Sequence, residues 1–383
     1  MTRARAVTVA DLRSLAKRNL PRSVFEFIDG GANDERTLNA NMGDLARIEF
    51  APRILTDVSN RCQSVQILGQ EYSSPLIFGP TGLSGLLWPN GDIATARASA
   101  TAGIGYCLST NSNASIEQVA RQGCPDFWFQ LYIQRDRAMV RTLVDRAAAA
   151  GCSVLCVTVD LPIQGPRERD ERNGFTVPPR FHLGDVVDYA MRLGWIWRMA
   201  TGPRITFANL ERAGDDGSNL KTLVEHISTQ FDQTVTWKEI DWLKSIWPGK
   251  MAIKGILHPQ DARLAVEHGI DAVIVSNHGG RQLDGAPSAI SALPGIVEMV
   301  DGRAEVLMDG GIRRGSDIVK AMAQGARGCL IGRAGLYGLA ANGERGVSRA
   351  IEILKKEIDV TLALLGQPDI TKINRSAISK KCY

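Results

Sequence analysis

The chain has 383 residues, of which 44% are hydrophobic and 22% are charged, and these fractions exclude a globally disordered protein. The formal net charge of +4 is mild, and the lysines and arginines are scattered rather than gathered in one basic stripe, which argues against nucleic acid as a partner. No stretch reaches the roughly 18 apolar residues of a membrane-spanning helix, and the N-terminus shows no apolar signal core. The length suits one large α/β barrel or two ordinary domains.

The seven cysteines form no C-x-x-C pair and have no metal-ligand spacing with histidine, so no metal site is predicted. Four of them fall in apolar, strand-like runs and are interpreted as buried free thiols: Cys107, Cys152, Cys156 and Cys329. Unpaired thiols are typical of a reducing compartment, and we therefore expect a cytoplasmic protein.

The predicted elements begin with two helices, over residues 8–18 and from Pro21 to Ile28, stopped by Gly30-Gly31. After this N-terminal helical cap, short apolar strands alternate with polar turns and helix-periodic segments. The predicted strands are Leu76–Gly79, Gly105–Leu108, Phe127–Leu131, Ser153–Val159, Met251–Lys254, Ala272–Val275, Glu305–Met308 and Gly328–Ile331. This pattern predicts a TIM (β/α)8 barrel, with residues 1–383 forming a single domain.

A long insertion, about residues 161–248, separates the fourth and fifth predicted strands. Its middle, from Val187 to Ala200, is aromatic, apolar and basic, which favours either a segment lying in a membrane interface or a loop that packs its tryptophans on the barrel or on another subunit. The stretch Gly214–Ser218 is predicted to be mobile. A last helix is predicted over Val347–Leu365, ending at Gly366.

Catalytic and binding residues of such a barrel lie where the strands end, on the face built by the loops that follow them. Nearly every predicted strand ends in a side chain that can hydrogen-bond or titrate. In chain order, the strand ends carry Pro80-Thr81-Gly82, Ser109, Gln130 with Tyr132, Thr158 with Asp160, Lys254, His278 with Arg281, Asp309-Gly310-Gly311 and Gly332-Arg333. Because these ends meet on one face, they predict a single ligand site.

The segment Val275–Gly285 carries the candidate general base. His278 and Arg281 are separated by two glycines, which allow a tight turn and a close approach of the backbone to a ligand. Asp160 is the expected partner of one ring nitrogen of His278, which would orient the imidazole and raise the basicity of the other nitrogen. Lys254 ends an apolar strand and needs a negative partner, and it suits either a Schiff-base lysine or a fixed positive charge beside an electron-accepting ring.

Two glycine-rich loops with arginines follow the last two predicted strands. The segments Asp309–Arg313 and Ile331–Arg333 each combine backbone N–H groups with a guanidinium, at the usual phosphate position of the fold. We therefore favour a phosphate site over turns whose glycines only permit a left-handed backbone. The phosphate could belong to a sugar phosphate substrate or to a nucleotide cofactor.

These motifs together resemble the family of FMN-dependent 2-hydroxy-acid oxidases and dehydrogenases, which includes glycolate oxidase, L-lactate dehydrogenase and (S)-mandelate dehydrogenase. The segment Ser276–Asp284 resembles the active-site signature of the family. The segments that resemble its flavin contacts are Gly79–Leu83, Leu108–Thr110, Phe129–Tyr132, Thr158–Asp160, Ile253–Gly255 and Asp309–Arg313. The resemblance spans essentially the whole chain.

The resemblance implies a bound FMN and oxidation of an (S)-2-hydroxy acid to a 2-keto acid. Around the FMN it places Pro80, Thr81 and Gly82 along the flavin edge, Ser109, Gln130 and Thr158 at polar ring atoms, Lys254 beside N1 and O2, Ser276 near the ribityl chain, and Asp309, Gly311, Arg313, Gly332 and Arg333 at the ribityl chain and phosphate. It makes His278 the acceptor of the substrate proton, with Asp160 stabilising the imidazolium and Tyr132 contacting the reacting oxygen. Arg281 and Arg167 would bind the substrate carboxylate.

One position departs from the pattern of the family. Phe27 stands where the family has a substrate-contacting tyrosine, and loss of that hydroxyl removes a hydrogen bond worth about 1 to 3 kcal/mol in a dry site. The stretch Gly79–Asp92 is most similar to mandelate dehydrogenase, Gly82 is typical of the dehydrogenases, and Asn111 stands where glycolate oxidase has a tryptophan. These positions favour an aromatic or otherwise large 2-hydroxy acid over L-lactate.

Three hypotheses about function remain open. The leading one is a dehydrogenase that passes electrons to a quinone or cytochrome-type acceptor, held peripherally on the cytoplasmic face of a membrane through about residues 187–200. The second is an oxidase that reduces O2 to hydrogen peroxide. The third is a flavin-binding sensor without turnover, suggested by Phe27. The resemblance also implies a homo-oligomer, typically a tetramer.

Overall fold

The computed structural model describes residues 6–122, 124, 126–174, 186–210 and 231–379. Its N-terminal cap consists of α1 (Val9–Asn19), α2 (Arg22–Asp29) and α3 (Arg36–Arg47). A reciprocal capping box begins α1, because Asp11 N donates to Thr8 Oγ1 at 3.1 Å and Thr8 N donates to Asp11 Oδ2 at 2.9 Å. The two predicted cap helices are confirmed, and α3 follows them as an element that the sequence did not predict.

The strands form a hairpin and a closed barrel. The hairpin joins β1 (Val65–Ile67) to β2 (Gln70–Tyr72) in antiparallel register. The barrel strands are β3 (Leu76–Phe78), β4 (Gly105–Ser109), β5 (Trp128–Tyr132), β6 (Val154–Thr158), β7 (Lys250–Ile256), β8 (Ala272–Val275), β9 (Glu305–Met308) and β10 (Gly328–Ile331). They close in the order β10-β3-β4-β5-β6-β7-β8-β9, with every pair parallel. The predicted TIM barrel is therefore confirmed.

The strand residues are buried because the barrel interior is filled with side chains and helices cover the outside. The helices after the cap are α4 (Gly91–Ala102), α5 (Ile116–Arg121), α6 (Arg137–Ala149), α7 (Glu168–Arg172), α8 (Val186–Ala190), α9 (Leu193–Thr201), α10 (Trp237–Ile246), α11 (Pro259–Glu267), α12 (Ala289–Val300), α13 (Gly315–Ala323) and α14 (Arg333–Leu365). The predicted last helix is longer than expected, since α14 begins at Arg333 and is kinked at Asn342 and Gly343. It ends at Gly366 in a left-handed conformation, as predicted.

The described part of the insertion contains α7, α8 and α9, and α10 directly precedes β7. Two of its aromatic side chains pack inward: Trp195 Nε1 donates to Leu86 O at 2.8 Å, and the Tyr189 hydroxyl lies 3.0 Å from Ser23 Oγ. Other apolar side chains of α8, α9 and the turn between them are exposed, with exposed fractions of 68% for Val187, 63% for Met191, 72% for Leu193 and 70% for Trp197. Among the described helices, none is long and apolar enough to cross a membrane. The predicted mobile stretch Gly214–Ser218 lies outside the described residues.

The four cysteines that were predicted to be buried free thiols are confirmed as such. Cys124 is also buried, and this burial raises the pKa of its thiol to about 11. Cys62 is free and exposed.

Candidate active site

The turn after β8 places His278 at the centre of the loop face. His278 has a left-handed backbone with a φ of 62°, and the two following glycines have φ values of 63° and 73°. A Cβ on Gly280 would lie 2.5 Å from Leu38 N, so a larger residue would push α3 away. The Ser276 hydroxyl accepts a hydrogen bond from His278 N at 2.6 Å and holds the turn. The predicted tight turn is present.

The imidazole of His278 pairs with a carboxylate from β6. His278 Nδ1 lies 2.9 Å from Asp160 Oδ1, and both side chains are largely buried. Burial lowers the pKa of His278 below its usual range, although the charge of Asp160 acts in the opposite direction. The imidazole is therefore neutral near pH 7, with Nδ1–H donating to Asp160 and Nε2 able to accept a proton. Burial would raise the pKa of Asp160, but His278 and Lys254 together lower it.

Positive charge is concentrated beside this pair. Burial lowers the pKa of Arg281 well below its usual value, and the neighbouring guanidiniums of Arg167 and Arg333 lower it further. The pKa of Arg167 is also lowered by burial, and its Nε has no hydrogen-bond partner among the described residues. Burial raises the pKa of Tyr132 to about 12, so its hydroxyl stays protonated. Buried guanidiniums that repel one another favour an anionic ligand.

Phe27 lies directly against Arg281. The Arg281 Cζ is 5.2 Å from the centroid of the Phe27 ring, and its Nη1 donates to Phe27 O at 2.7 Å. The ring therefore stacks under the guanidinium at the position where the sequence predicted a substrate contact.

The ends of β4, β5 and β6 provide a polar floor. Ser109 Oγ donates to Gln130 Oε1 at 3.1 Å. Gln130 Nε2 and Thr158 Oγ1 are buried and have no hydrogen-bond partner among the described residues. An unsatisfied buried polar group costs about 1 to 3 kcal/mol, so these atoms fit a ligand with a polar edge.

Lys254 is buried in β7, two residues before the strand ends, and has the negative partner that its environment required. Its Nζ lies 2.8 Å from Asp309 Oδ2 and donates to Ser276 Oγ at 2.8 Å. Burial would lower the pKa of Lys254, but Asp309 and Asp160 together raise it above its usual value. The lysine is therefore a fixed positive charge, which disfavours the predicted Schiff-base alternative, since a Schiff base needs a neutral amine.

The two glycine loops lie next to each other after β9 and β10. Gly311 has a φ of 82°, and a Cβ there would lie 2.4 Å from Asn41 O, so the loop packs tightly on α3. The Arg313 Cζ is 5.6 Å from the centroid of the Tyr337 ring. Gly332 is the N-cap residue of α14, whose N-terminal N–H groups and dipole favour an anion. Arg333 donates to three backbone carbonyls, those of Ile28, Gly30 and Gly279.

The loop after β3 closes the remaining side. Pro80 and Thr81 are half-buried, and Thr81 Oγ1 lies 3.5 Å from Ser84 Oγ. A Cβ on Gly82 would lie 3.0 Å from Asn111 O and 3.1 Å from Asn111 Cβ. Gly82 and Asn111 are therefore in contact across the loops after β3 and β4.

A protein-family model described as FMN-dependent dehydrogenase matches residues 16–380. The chain belongs to this family. This FMN-dependent dehydrogenase is 41% identical to the L-lactate dehydrogenase of Caulobacter sp. (strain K31), over 97% of this chain and 98% of that protein. It is 42% identical to the (S)-mandelate dehydrogenase of Pseudomonas putida, over 96% and 92% of the two chains. It is also 44% identical to the L-lactate oxidase of Nostoc sp. (strain PCC 7120 / SAG 25.82 / UTEX 2576), over 97% of each.

Solved structures agree with the family assignment. The crystal structure of the monotopic membrane protein (S)-mandelate dehydrogenase superposes on this dehydrogenase with a TM-score of 0.94 and 41% identity, covering 98% of this chain and 100% of that one. The predicted family, enzyme class and FMN cofactor are confirmed by these similarities. The roles of individual residues stay predictions.

The loop face of this FMN-dependent dehydrogenase fits its cofactor. The unsatisfied Gln130 Nε2 and Thr158 Oγ1 match a ring with a polar edge, and the cation of Lys254 stands on a neighbouring strand. The glycine loops and the N-terminus of α14 match a phosphate. The predicted cofactor residues therefore lie on one face with chemistry suited to both ends of FMN.

Three residues of this face were missed by the sequence reasoning. Gln282 Nε2 donates to Asp160 O at 2.8 Å and Gln282 Oε1 accepts from Gly165 N at 3.1 Å, which fixes the loop after β6. Asp29 and Tyr337 bond to each other at 2.7 Å beneath the arginines. The only signal for Tyr337 was its position one helical turn after Arg333, and Asp29 falls between the predicted helix end at Ile28 and the two glycines.

Proposed function

We propose that this dehydrogenase oxidises an (S)-2-hydroxy acid to the 2-keto acid with FMN as the immediate electron acceptor. The observation that carries the proposal is a neutral, buried His278 paired with Asp160, beside the two buried guanidiniums of Arg167 and Arg281. A base next to a carboxylate-binding group is what removal of a proton from a 2-hydroxy acid requires. Lactate and mandelate, which give the relatives their names, are both 2-hydroxy acids.

Each residue near the base has a distinct role in the proposed reaction. Arg281 and Arg167 bind the substrate carboxylate and orient it, and the Tyr132 hydroxyl contacts the reacting oxygen. His278 Nε2 takes the proton, and Asp160 stabilises the imidazolium that forms. Bound FMN supplies a two-electron acceptor.

The proposed cofactor residues surround the base. Those at the flavin edge and ring are Pro80, Thr81, Gly82, Ser109, Gln130, Thr158 and Lys254, and those at the ribityl chain and phosphate are Ser276, Asp309, Gly311, Arg313, Gly332 and Arg333. Lys254, with Asp309 beside it, holds a positive charge that favours negative charge on the ring.

Within the 2-hydroxy acids, we propose an aromatic or otherwise large substrate ahead of L-lactate. Phe27 supplies an apolar ring next to Arg281, where a tyrosine hydroxyl would bind the carboxylate. Asn111 is smaller than the tryptophan it replaces relative to glycolate oxidase and lies against Gly82. Phe27 supports apolar contact with part of the substrate, and the smaller Asn111 supports room for a large one.

Anaerobic mixing of the holoenzyme with a panel of 2-hydroxy acids, followed by stopped-flow absorbance, tests the reaction. We expect (S)-mandelate to bleach the flavin, L-lactate to bleach it more slowly, and (R)-mandelate to leave it unchanged. A yellow protein that no 2-hydroxy acid bleaches would contradict the proposal and indicate a sensor.

The relative named L-lactate oxidase supports one alternative, in which O2 is the second substrate. Hydrogen peroxide formed in step with turnover under air would establish that alternative.

For the electron acceptor, we propose a quinone or cytochrome-type partner in a membrane, reached through α8 and α9. Exposed Val187, Met191, Leu193 and Trp197 give these helices and the turn between them an apolar outer surface. A structural relative is described as a monotopic membrane protein. We also propose cytoplasmic-side attachment and a homotetramer, in line with the resemblance.

The membrane proposal predicts that the doubly substituted protein Leu193→Ser/Trp197→Ser shifts from the membrane fraction to the soluble fraction. Substitution is preferable to deletion of residues 187–200, because Tyr189 and Trp195 in that stretch pack inward. Leu364→Ser is a matched control, since Leu364 is equally exposed, at 73%, but lies on α14. Unchanged fractionation of the double variant would contradict the assignment.

A further inference from the structure

Two buried guanidiniums reach the same short segment of the N-terminal cap. Arg281 Nη1 donates to Phe27 O at 2.7 Å and to Gly30 O at 3.0 Å. Arg333 donates from Nε to Ile28 O at 3.0 Å and from Nη2 to Gly30 O at 2.6 Å. Gly30 O thus uses both of its lone pairs on these arginines. Any displacement of residues 27–30 would move both guanidiniums.

The side chain of Asp29, in the middle of this segment, is held by Arg13 and Tyr337 and also lies 3.6 Å from Arg169 Nη1. Arg13 of α1 donates Nε and Nη2 to its two carboxylate oxygens, at 2.7 Å each. Tyr337 of α14 donates its hydroxyl to Oδ1 at 2.7 Å. Burial would raise the pKa of Asp29, but the hydrogen bonds from Arg13 and Tyr337 lower it below its usual value. Asp29 is therefore a charged anchor with short, charge-assisted bonds.

Tyr337 also belongs to the same helix face as Arg333. The two residues are four positions apart on α14, so they lie one above the other and hold residues 28–30 at two points. The ring of Tyr337 lies under a third guanidinium, that of Arg313, at 5.6 Å from Cζ to the ring centroid. One tyrosine thus contacts an arginine of the proposed phosphate site and the anchor of the cap segment.

We propose that Asp29 and Tyr337 are positioning residues that couple FMN phosphate binding to substrate carboxylate binding. Asp29 acts through the backbone: it fixes the direction of the Ile28 and Gly30 carbonyls, which aim Arg333 at the phosphate and Arg281 at the carboxylate. This coupling depends on the proposed function, because it takes those two anions as the ligands of the two arginines.

The variant Tyr337→Phe removes the hydroxyl and keeps the ring under Arg313. It is expected to raise the dissociation constants of both FMN and oxalate by about tenfold, the usual effect of one lost buried hydrogen bond. FMN release is measured from the holoenzyme by the recovery of flavin fluorescence, and oxalate binding by the perturbation of the flavin absorbance. Tyr72→Phe is the matched control, since this hydroxyl is also buried but bonds to Trp128 Nε1 at 3.2 Å, outside the anion sites.

Arg13→Gln removes the guanidinium that binds both carboxylate oxygens of Asp29 and so tests the same anchor. The Arg13 side chain is 46% exposed, so the substitution leaves the core intact. It should raise the dissociation constants of both FMN and oxalate, and Arg13→Lys should restore them in part.

The coupling is supported if both dissociation constants rise in Tyr337→Phe and in Arg13→Gln while those of Tyr72→Phe match the parent. A lower melting temperature with both constants unchanged, or a change in only one constant, overturns it. A parent protein that binds no FMN would overturn the proposed function, and the coupling with it.

Discussion

Replacement of His278 by alanine is expected to slow flavin reduction by about 10²- to 10⁴-fold, the contribution typical of a positioned general base. Among the described histidines, His278 is the only one that pairs with a largely buried carboxylate, and His258, which also lies on the loop face, is exposed. FMN content should stay close to that of the parent, because Ser276 and Lys254 are unchanged. Stopped-flow absorbance with saturating (S)-mandelate measures the rate.

The chain offers a matched control for this substitution. His268 also pairs with an aspartate, with Nδ1 at 2.6 Å from Asp241 Oδ1, but this pair is exposed and lies at the end of α11 that leads into β8, opposite the loop face. His268→Ala should reduce the flavin as fast as the parent. If His278→Ala and His268→Ala bleach equally fast, His278 is not the base.

The same base sets the expected pH dependence. Because burial lowers the pKa of His278 below its usual value, the reactive neutral form predominates at pH 7 and is lost only as the pH falls through the lowered pKa. The rate constant kcat/KM should therefore be flat near neutrality and fall in acid. Asp160→Asn removes a charge that raises this pKa, so its acidic limb should move to lower pH while its plateau rate drops.

Lys254→Met is expected to lower the free energy of unfolding by about 3 to 5 kcal/mol, because it leaves Asp309 buried without its partner. The ion pair spans 2.8 Å, and the exposed fractions of its side chains are 5% and 15%. Urea unfolding of FMN-loaded protein, followed by tryptophan fluorescence, measures the loss. The flavin should also dissociate more readily, since Lys254 is a cation whose register partner on β6 is Thr158 of the polar floor.

Lys250→Met on the same strand is the control for Lys254→Met. Lys250 also makes a 2.8 Å ion pair, with Asp271, but its side chain is 56% exposed, so the expected loss is only about 0 to 1 kcal/mol. The double substitution Lys254→Met/Asp309→Leu should recover most of the stability that Lys254→Met loses, because no buried charge remains unpaired. Equal losses of stability for Lys250→Met and Lys254→Met would contradict this prediction, because they would show that Asp309 does not remain as an unpaired buried charge.

The barrel could be predicted because each strand is buried on both sides and therefore reads as a continuous apolar run with a polar residue at its end. The same rule predicted most of the candidate site, since His278 and Asp160 follow strands, Tyr132 ends one, and Lys254 lies two residues before the end of β7. The expected pairing of His278 with Asp160 is found at 2.9 Å. The ends of the strands converge in any barrel of this fold, so the grouping of these residues could be predicted without knowing where their side chains lie.

Other features depend on how distant segments meet, and the sequence has no local signal for them. Asp309 was expected at the ribityl chain and phosphate, and its ion pair with Lys254 from β7 became visible only in the folded barrel. The contacts of Arg281 and Arg333 with residues 27–30 join chain positions more than 250 residues apart. In the aromatic insertion, Trp195 packs inward, as one of the two interpretations predicted, while Trp197 is exposed and the membrane interpretation stays a proposal.

The left-handed backbone of His278 has a consequence for how this protein tolerates change. A side chain with a Cβ is disfavoured at a φ of 62°, although less so for histidine, asparagine and aspartate than for most residues, whereas glycine adopts it freely. Selection for thermal stability alone would therefore favour glycine at position 278. The proposed base thus occupies a position where one substitution to glycine relieves backbone strain and removes the imidazole.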